Sequence, residues 1–372
     1  METQTPKMVL TDASMLITEA CVKAGADAFI GYPITPSNKF YNYGSKRFPL
    51  FLAGPDEITV LQWMTGLSAS GKFPVTATAF PGLALMAETF NMAYMMELPM
   101  LLIITQRLGP STGSATTGAQ GDLSFINGII SGGYPVPVFC PSNFEDAWKL
   151  IEECIKTSIN LRTPVILLTS KEMVMTQKSF DISILPEINK IYRNFEPIEL
   201  PYKTYKSGNN FVPPFIPVGN HEHLIRLNSS THDDEGMIQK NSPNAIANTI
   251  RLKEKMEKRL DEYTFFDYDK QDDSENLIVT YGISAGAARS AVEELRNDHK
   301  KVSLLVVKTL LPVSEQITKI IDSYQYVTFV EENIGGQYKE IIFGKVFRSN
   351  IKQINKIGFM ISPSDIIKEL SL

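Results

Sequence analysis

The stretch MLLIITQ (Met100–Gln106) constrains this chain more than any other. Its apolar residues run without alternation, and it is far too short for a membrane span. It reads as a strand buried within a sheet. The segment before it, LALMAETFNMAYMMEL, repeats apolar residues at helical spacing. The same alternation extends to both sides. Thr11 or Asp12 can cap a helix with apolar Leu16, Ile17, Ala20 and Ala24 and a stop at Gly25. A short strand, Ala28–Ile30, follows. PDEITVLQWMTGLSASG predicts a helix with Pro55 in its first turn, an apolar face of Ile58, Leu61, Met64 and Leu67, and Gly71 at its end. PVTATAF, VPVFC and PVILLTS read as strands, and NFEDAWKLIEECIKTS as a helix. Strands and helices in this rhythm imply βαβ units and a mainly parallel sheet.

Residues 180–270 break the rhythm. FVPPFIPVGNHEHLIRLNSSTHDDEG is rich in Pro, Asn and Asp and has no period, so it reads as a connecting segment on the surface. SPNAIANTIRLKEKMEKRLDEY then predicts a charged helix capped by Ser242. From Glu275 the alternation resumes, with NLIVTYG, KVSLLVVKT and YVTFVEEN as strands and SAGAARSAVEELRND and VSEQITKIIDSY as helices. The expected fold class is therefore α/β. Its divisions are a first domain over 1–178, a connecting segment over 179–274, and a smaller α/β domain over 275–372.

Charge and composition narrow the function. A chain of 372 residues with net charge −5 and pI 5.6 is a poor fit to nucleic acid or an anionic membrane. It has no apolar run of the about 18–20 residues that a membrane helix needs. METQTPKMVLTDAS lacks the apolar core of a signal peptide, so the expected location is the cytoplasm. The cysteines, Cys21, Cys140 and Cys154, form no CxxC pair. They fit a reducing compartment and exclude an ordinary four-cysteine iron–sulfur cluster held by this chain alone.

In open parallel sheets, ligands sit beyond the carboxyl ends of the strands. Four loops qualify: Tyr32–Ser37, Phe80–Gly82, Gln106–Asp122 and Gly282–Gly286. In the first, GYPITPSNKF leaves a strand through two prolines, which force a rigid extended path displaying Tyr32 and Thr35. The third, QRLGPSTGSATTGAQGDL, is long and hydroxyl-rich, and carries one cation, Arg107, at the end of the buried strand. A guanidinium there suits a carboxylate held through two hydrogen bonds, and the Gly/Ser/Thr run offers backbone donors to an anion. A mobile loop with Arg107 in a salt bridge is the competing reading. GISAG matches the nucleophile elbow G-x-S-x-G, but only His299 follows, at the end of the helix that the elbow would start, beyond reach of Ser284. Its small residues suit close helix–strand packing instead. HEH at 221–223 with HDDE at 232–235 could bind a metal, or could be a solvated loop. Glu57 sits at a helix start, where dipole compensation is the plain explanation, although Asp56 beside it could cap the helix alone. There is no phosphate-binding G-x-x-x-x-G-K-[ST] loop and no dinucleotide-type G-x-G-x-x-G.

Taken together, GYPITPS, DEITVLQWMTGLSASG, PGLALMAETFNMA, QRLGPSTGSATTGAQGDL and VEEN, in this order, resemble the alpha subunit of 2-oxoacid:ferredoxin oxidoreductases, on the 2-oxoglutarate-type (KorA-like) side. The resemblance runs along nearly the whole chain. It implies a parallel-sheet, pyrimidine-binding domain for thiamine diphosphate, followed by a transketolase C-terminal-like α/β domain. It implies CoA-dependent oxidative decarboxylation of a 2-oxoacid, 2-oxoglutarate first, with electrons passed to ferredoxin, and CO2 fixation in reverse. A beta subunit would supply the diphosphate and Mg²⁺ half of the site and a [4Fe–4S] cluster. Gamma and ferredoxin-like chains would be further partners, the gamma-type domain fused in some relatives having no counterpart here. This chain's GDL (Gly121–Leu123) lacks the second Gly of the diphosphate motif, and no metal is expected on it.

Residue by residue, Glu57 would hydrogen-bond the cofactor's pyrimidine nitrogen, and Phe80, Pro81 and Gly82 would lie near that ring. Tyr32, Pro33, Ile34 and Thr35 would wall the substrate pocket, with the Thr35 hydroxyl on the oxoacid. Arg107 would bind its carboxylate, with Ser111 and Thr112 nearby. Two departures from the family pattern stand out: TAFPG in place of TSGPG, which puts Ala79 and Phe80 in the site, and AQGD in place of EQGD, which puts Ala119 there. A two-chain thiamine decarboxylase without electron transfer and an inactive scaffold subunit are the competing functions.

Overall fold

Asp12 starts the first helix: its Oδ1 accepts the Met15 N–H at 3.1 Å in the computed structural model, which describes residues 5–196 and 199–370. Strand β1 (Met8–Thr11) precedes that helix, α1 (Ala13–Lys23). Then come β2 (Ala28–Gly31), α2 (Asn38–Arg47), β3 (Leu50–Ala53), α3 (Glu57–Ala69), β4 (Pro74–Thr78), α4 (Phe80–Met95) and β5 (Met100–Gln106). After a long loop follow α5 (Leu123–Asn127), β6 (Val138–Phe139), α6 (Phe144–Leu161), β7 (Pro164–Ser170), α7 (Lys171–Met175) and β8 (Lys178–Asp181). The strands β6-β7-β5-β4-β2-β3 lie side by side in that order, and all their pairings are parallel. Every residue of β4, β5 and β7 is buried, as a sheet covered on both faces requires. The VPVFC strand shrinks to two residues, and β8 pairs with β1 away from the main sheet.

The connecting segment is only partly a surface feature. Ile188, Tyr205, Ile216 and His232 are buried, contrary to the expectation of a segment lying outside. The reason is charge. Arg162, in the left-handed turn that ends α6, reaches into the segment and donates to the carbonyls of Thr204, Pro213 and Pro214 at 3.0–3.2 Å. The next helix, α8 (Pro243–Lys258), is capped by Ser242 as expected. It nonetheless buries Arg251 and Lys255, and both meet the fully buried Glu97 at the end of α4.

The last part of the chain forms β9 (Phe266–Asp269), β10 (Asn276–Tyr281), α9 (Ser284–Asn297), β11 (Ser303–Val307), β12 (Thr309–Leu311), α10 (Glu315–Asp322), β13 (Tyr326–Glu331), α11 (Gln337–Phe343), β14 (Ile351–Asn355) and α12 (Pro363–Leu370). A second sheet has the order β14-β13-β10-β11-β9, parallel except at β9. The expected single strand KVSLLVVKT divides at Lys308. Its first half stays in this sheet, while β12 crosses to the first sheet and pairs antiparallel with β6. Lys308 marks the break because its ammonium is clamped between Asp146 (2.8 Å) and Asp267 (2.6 Å), one from each side of the junction. Among the described residues no helix is long and apolar enough to cross a membrane.

Candidate active site at the carboxyl ends of the first sheet

From β2 the chain steps outward to β3 and then returns to β4 on the other side of β2. The loops leaving β2 and β4 therefore diverge and open a crevice, the switch point where ligands of such sheets bind. Ser37 fixes its floor. Its hydroxyl donates to the Thr78 carbonyl at 2.8 Å and shares a hydrogen bond with the Thr105 hydroxyl at 3.0 Å, tying the ends of β4 and β5 to the turn that follows β2.

Helix α3 enters this crevice with an unusual rotation. Asp56 caps it, Oδ1 accepting the Thr59 N–H at 2.7 Å, so the cap does not need Glu57. Glu57, Val60, Leu61, Met64, Thr65 and Ser68 face inward. The expected apolar face included Ile58, but Ile58 is 42% exposed and Glu57 only 7%. A helix choosing by hydrophobicity alone would turn the other way, since burying a polar group without a partner is unfavourable. The carboxylate of Glu57 accepts no hydrogen bond from any described residue. It lies against the first turn of α4. A Cβ on Gly82 would sit 2.1 Å from Thr78 Oγ1, 2.7 Å from Glu57 Cγ and 2.9 Å from Glu57 Oε1. Only glycine fits there. Phe80, two residues earlier, packs its ring edge-on against Phe125 of α5 at 5.2 Å.

Arg107, at the end of β5, is buried to 6% exposure, and its Nη1 donates to the Thr35 carbonyl. The structure thus brings Arg107 to the Tyr32–Pro36 turn, not to a surface salt bridge. Its Nε finds no acceptor, nor does Asp122 Oδ2 find a donor. Burial pushes the Asp122 carboxyl up to about 7, with Arg107 opposing the shift. The Thr35 hydroxyl oxygen accepts from Asn38 Nδ2 at 3.1 Å, which leaves its own proton free to donate. Tyr32 and Pro33 are exposed and Ile34 half-buried at the rim.

The long loop is a compact finger. Leu108 N–H donates to the Thr117 carbonyl at 2.8 Å, and Ser114 N–H to the Leu108 carbonyl at 2.9 Å. Ser111 and Thr112 are exposed at its tip. Ala119 is buried at its base. Ser284, in GISAG, donates to Gln120 Oε1 at 2.8 Å and has no histidine beside it. The close packing assigned to this motif occurs at Gly282, where a Cβ would meet Gln120 Nε2 at 2.9 Å, and not at Gly286. His232 stacks on Tyr205 at 3.8 Å between centroids. Asp233 and Asp234 bind backbone N–H groups and the Asn248 amide, so these side chains shape the segment. Among the described residues no three metal-ligating side chains gather. Sequence reasoning missed Ser37, Gln120 and Asp122. Only the pairing of Gln120 and Asp122 around a glycine, at the end of a loop already marked, could have pointed to the latter two.

Comparison with known proteins gives this geometry a context. Residues 19–251 match the family described as pyruvate flavodoxin/ferredoxin oxidoreductase, thiamine diP-bdg. Residues 274–365 match pyruvate:ferredoxin oxidoreductase core domain II. The chain is 26% identical to the 2-oxoglutarate synthase subunit KorA of Methanocaldococcus jannaschii, over 90% of this chain and 91% of that one. It is 27% identical to the ketoisovalerate oxidoreductase subunit VorB of Methanothermobacter thermautotrophicus, over 98% and 97%. A solved 2-oxoglutarate:ferredoxin oxidoreductase from Magnetococcus marinus, with 2-oxoglutarate, coenzyme A and succinyl-CoA bound, superposes with a TM-score of 0.91 at 23% identity. That match covers 98% of this chain, which spans 65% of the solved one. A split-gene transketolase shares the fold more distantly, with a TM-score of 0.54 at 12% identity over 96% of this chain and 95% of that one.

Proposed function

We infer, from a chain that belongs to the pyruvate flavodoxin/ferredoxin oxidoreductase family, that it is the alpha-type subunit of a thiamine diphosphate-dependent 2-oxoacid:ferredoxin oxidoreductase. In this reading one 2-oxoacid, one coenzyme A and two oxidised ferredoxins give the acyl-CoA, CO2, two reduced ferredoxins and a proton; the reverse direction fixes CO2. The oxoacid proposed first is 2-oxoglutarate, with a branched one such as ketoisovalerate as the alternative, since relatives bearing both names align along nearly the whole chain.

The observation that carries the reading is the buried Glu57 carboxylate, without a donor, against a glycine that no other residue can replace. That cradle fits a flat heteroaromatic ring seated over Gly82 with a nitrogen bonded to Glu57. Bound there, thiamine diphosphate would supply the carbanion chemistry. The protein would orient it: Glu57 holds a proton at the ring nitrogen, Gly82 admits the ring, and Phe80, braced by Phe125, lines its edge. Arg107 would take the substrate carboxylate, and Thr35 would donate to its keto oxygen. The turn that carries Thr35 is clamped by Arg107 and Ser37, which lowers the entropy lost on positioning.

The test is assembly. The chain purified alone is expected to reduce no viologen with pyruvate, 2-oxoglutarate or ketoisovalerate. It should do so once joined by a partner chain bearing a diphosphate–Mg²⁺ motif and cluster-ligating cysteines. Turnover by the single chain would overturn the subunit reading. CO2 release by the complex without viologen reduction would instead identify a non-redox decarboxylase.

Arg107→Lys separates substrate binding from loop support. Lys keeps the charge but loses the planar fork. In the complex KM for the oxoacid is expected to rise roughly ten- to a hundred-fold, with kcat changed less, as loss of a charge-assisted hydrogen bond present in both ground and transition states predicts. A fall in Tm with KM unchanged would make Arg107 a brace for the turn alone.

A further inference from the structure

Gln120 ends the finger that begins at Arg107, and is 1% exposed. Every polar atom of this residue bonds to the second sheet or the turns that leave it. Its N–H donates to the Glu332 carbonyl at 2.8 Å. Its side-chain Nε2 donates to the Tyr281 carbonyl at 2.8 Å. Oε1 accepts from the Ser284 hydroxyl at 2.8 Å and from the Glu332 N–H at 2.7 Å. Its carbonyl accepts from Asn333 Nδ2 at 3.1 Å. The partners are the carboxyl ends of β10 and β13, the start of α9 and the turn after β13. Gln337 adds a second tie, donating to the Gly121 carbonyl at 2.8 Å and accepting the Ser124 N–H at 2.9 Å.

On the first-sheet side, the residues just past Gln120 lead directly into the site. The Asp122 N–H reaches Gln106 Oε1 at 3.4 Å. Asp122 faces Arg107, and α5 places Phe125 against Phe80. The short segment anchored through Gln120 in the other sheet thus packs Phe125 against Phe80 and sets the Asp122 carboxyl within the field of Arg107, the two groups argued above to meet cofactor and substrate.

We propose that Gln120 is a positioning residue, the strut through which the second sheet sets where Arg107 and Phe80 stand in the crevice. Charge and propensity offer no simpler account. A loop needing only closure would be served by glycine or serine. A side-chain amide carries its donor and its acceptor on separate atoms, so Nε2 meets the Tyr281 carbonyl while Oε1 meets Ser284 and Glu332, a spread that a single hydroxyl oxygen does not cover. The carboxylate of Gln120→Glu keeps the shape and the acceptor but sets an oxygen against that carbonyl. The shorter Gln120→Asn keeps the chemistry but cannot span the gap.

The claim about site chemistry rests on the proposed function, but the claim about position does not, so the experiment has two arms. In the full chain alone, amide hydrogen exchange followed by mass spectrometry is expected to quicken roughly ten-fold across 107–127 in Gln120→Glu, with β4 and β10 unchanged. Ser284→Ala, which removes one bond to the same oxygen, should give a smaller change in the same segment. In the assembled enzyme, assayed well below the melting range of every form, Gln120→Glu should raise KM for the oxoacid more than it lowers kcat, and Gln120→Asn should recover less than half of that loss. Unaltered exchange over 107–127 in both variants would overturn the proposal. So would exchange that rises equally throughout the chain, which would make Gln120 ordinary packing. If no oxoacid is turned over by any form, the function falls while the exchange arm still decides the role of Gln120.

Discussion

Glu97→Ala is expected to lower the unfolding free energy of the chain by about 3–5 kcal/mol, the cost of stripping one partner from a buried ion cluster. Glu97 is fully buried in the turn after α4, where Arg251 and Lys255 of α8 both bond its carboxylate, Lys255 at 2.6 Å. Without it the two cations keep only neutral acceptors: the carbonyls of Phe211 and Arg162 and the Asn248 amide oxygen. The residue also occupies the left-handed region, φ 55°, where glycine is usual after a helix. Glu97→Gly therefore relieves about 1 kcal/mol of backbone cost and should be less damaging than Glu97→Ala by that amount. If Glu97→Gly instead stabilised the chain, the ion cluster would contribute nothing. Burial alone would raise this carboxyl, but the two cations outweigh burial and hold it below the usual carboxylate range. Its contribution is then complete above the unfolded value of about 4.3, and fades as pH falls below that value through the lower folded one. In urea unfolding the gap between wild type and Glu97→Ala should narrow in the acid limb, below about 4, while between about pH 7 and 5 it also carries Lys255, which burial pulls down to about 8 even beside Glu97 and which loses that partner in the variant.

That cluster shows what the sequence could and could not convey. The βα rhythm was legible because each strand and helix carries its own period. MLLIITQ is buried throughout, and the Asp12 and Ser242 caps sit where short polar side chains precede apolar runs. The pairing of Glu97 with Arg251 and Lys255 has no such period. Its partners lie more than 150 residues apart, and each looks like a solvated charge on its own element. The same blindness made the connecting segment read as a surface feature and KVSLLVVKT as one strand, since Arg162 and Lys308 act only across the fold. At the site, Thr35 and Arg107 stood out because their loops are unusual, whereas Glu57 and Gly82 took a role only through the resemblance to a known family. Gln120 did not, because its meaning lies entirely in bonds to a sheet some 160–210 residues further on. The inward turn of Glu57 at the expense of Ile58 could not be read either. Periodicity assigns the apolar residue to the core, and the proposed role of the carboxylate is what would oppose it.

Glu57→Gln is expected to separate activity from stability more sharply than any other change. The amide has the size of the carboxyl, and Asp56 already caps α3, so the helix start is kept. The Glu57 side chain makes no hydrogen bond to a described residue, so the amide breaks none and the Tm of the chain should hold. Function should fail. In the proposed role the carboxyl keeps a proton on the ring nitrogen of the cofactor, and an amide cannot exchange one. Proton-transfer groups of this kind contribute about 10²–10⁴-fold, and exchange of the C2 proton of thiamine diphosphate in the assembled enzyme should fall by that factor. Weakened cofactor binding could mimic the loss, so exchange is measured at saturating cofactor, with binding followed separately by calorimetry. Had Glu57 served only to offset the helix dipole, its neutral variant would lose about 0.3–1 kcal/mol of stability and leave proton exchange untouched. Wild-type exchange with a lowered Tm would therefore remove Glu57 from the chemistry. Lost exchange with an unchanged Tm is the signature of a carboxylate buried for the sake of the reaction.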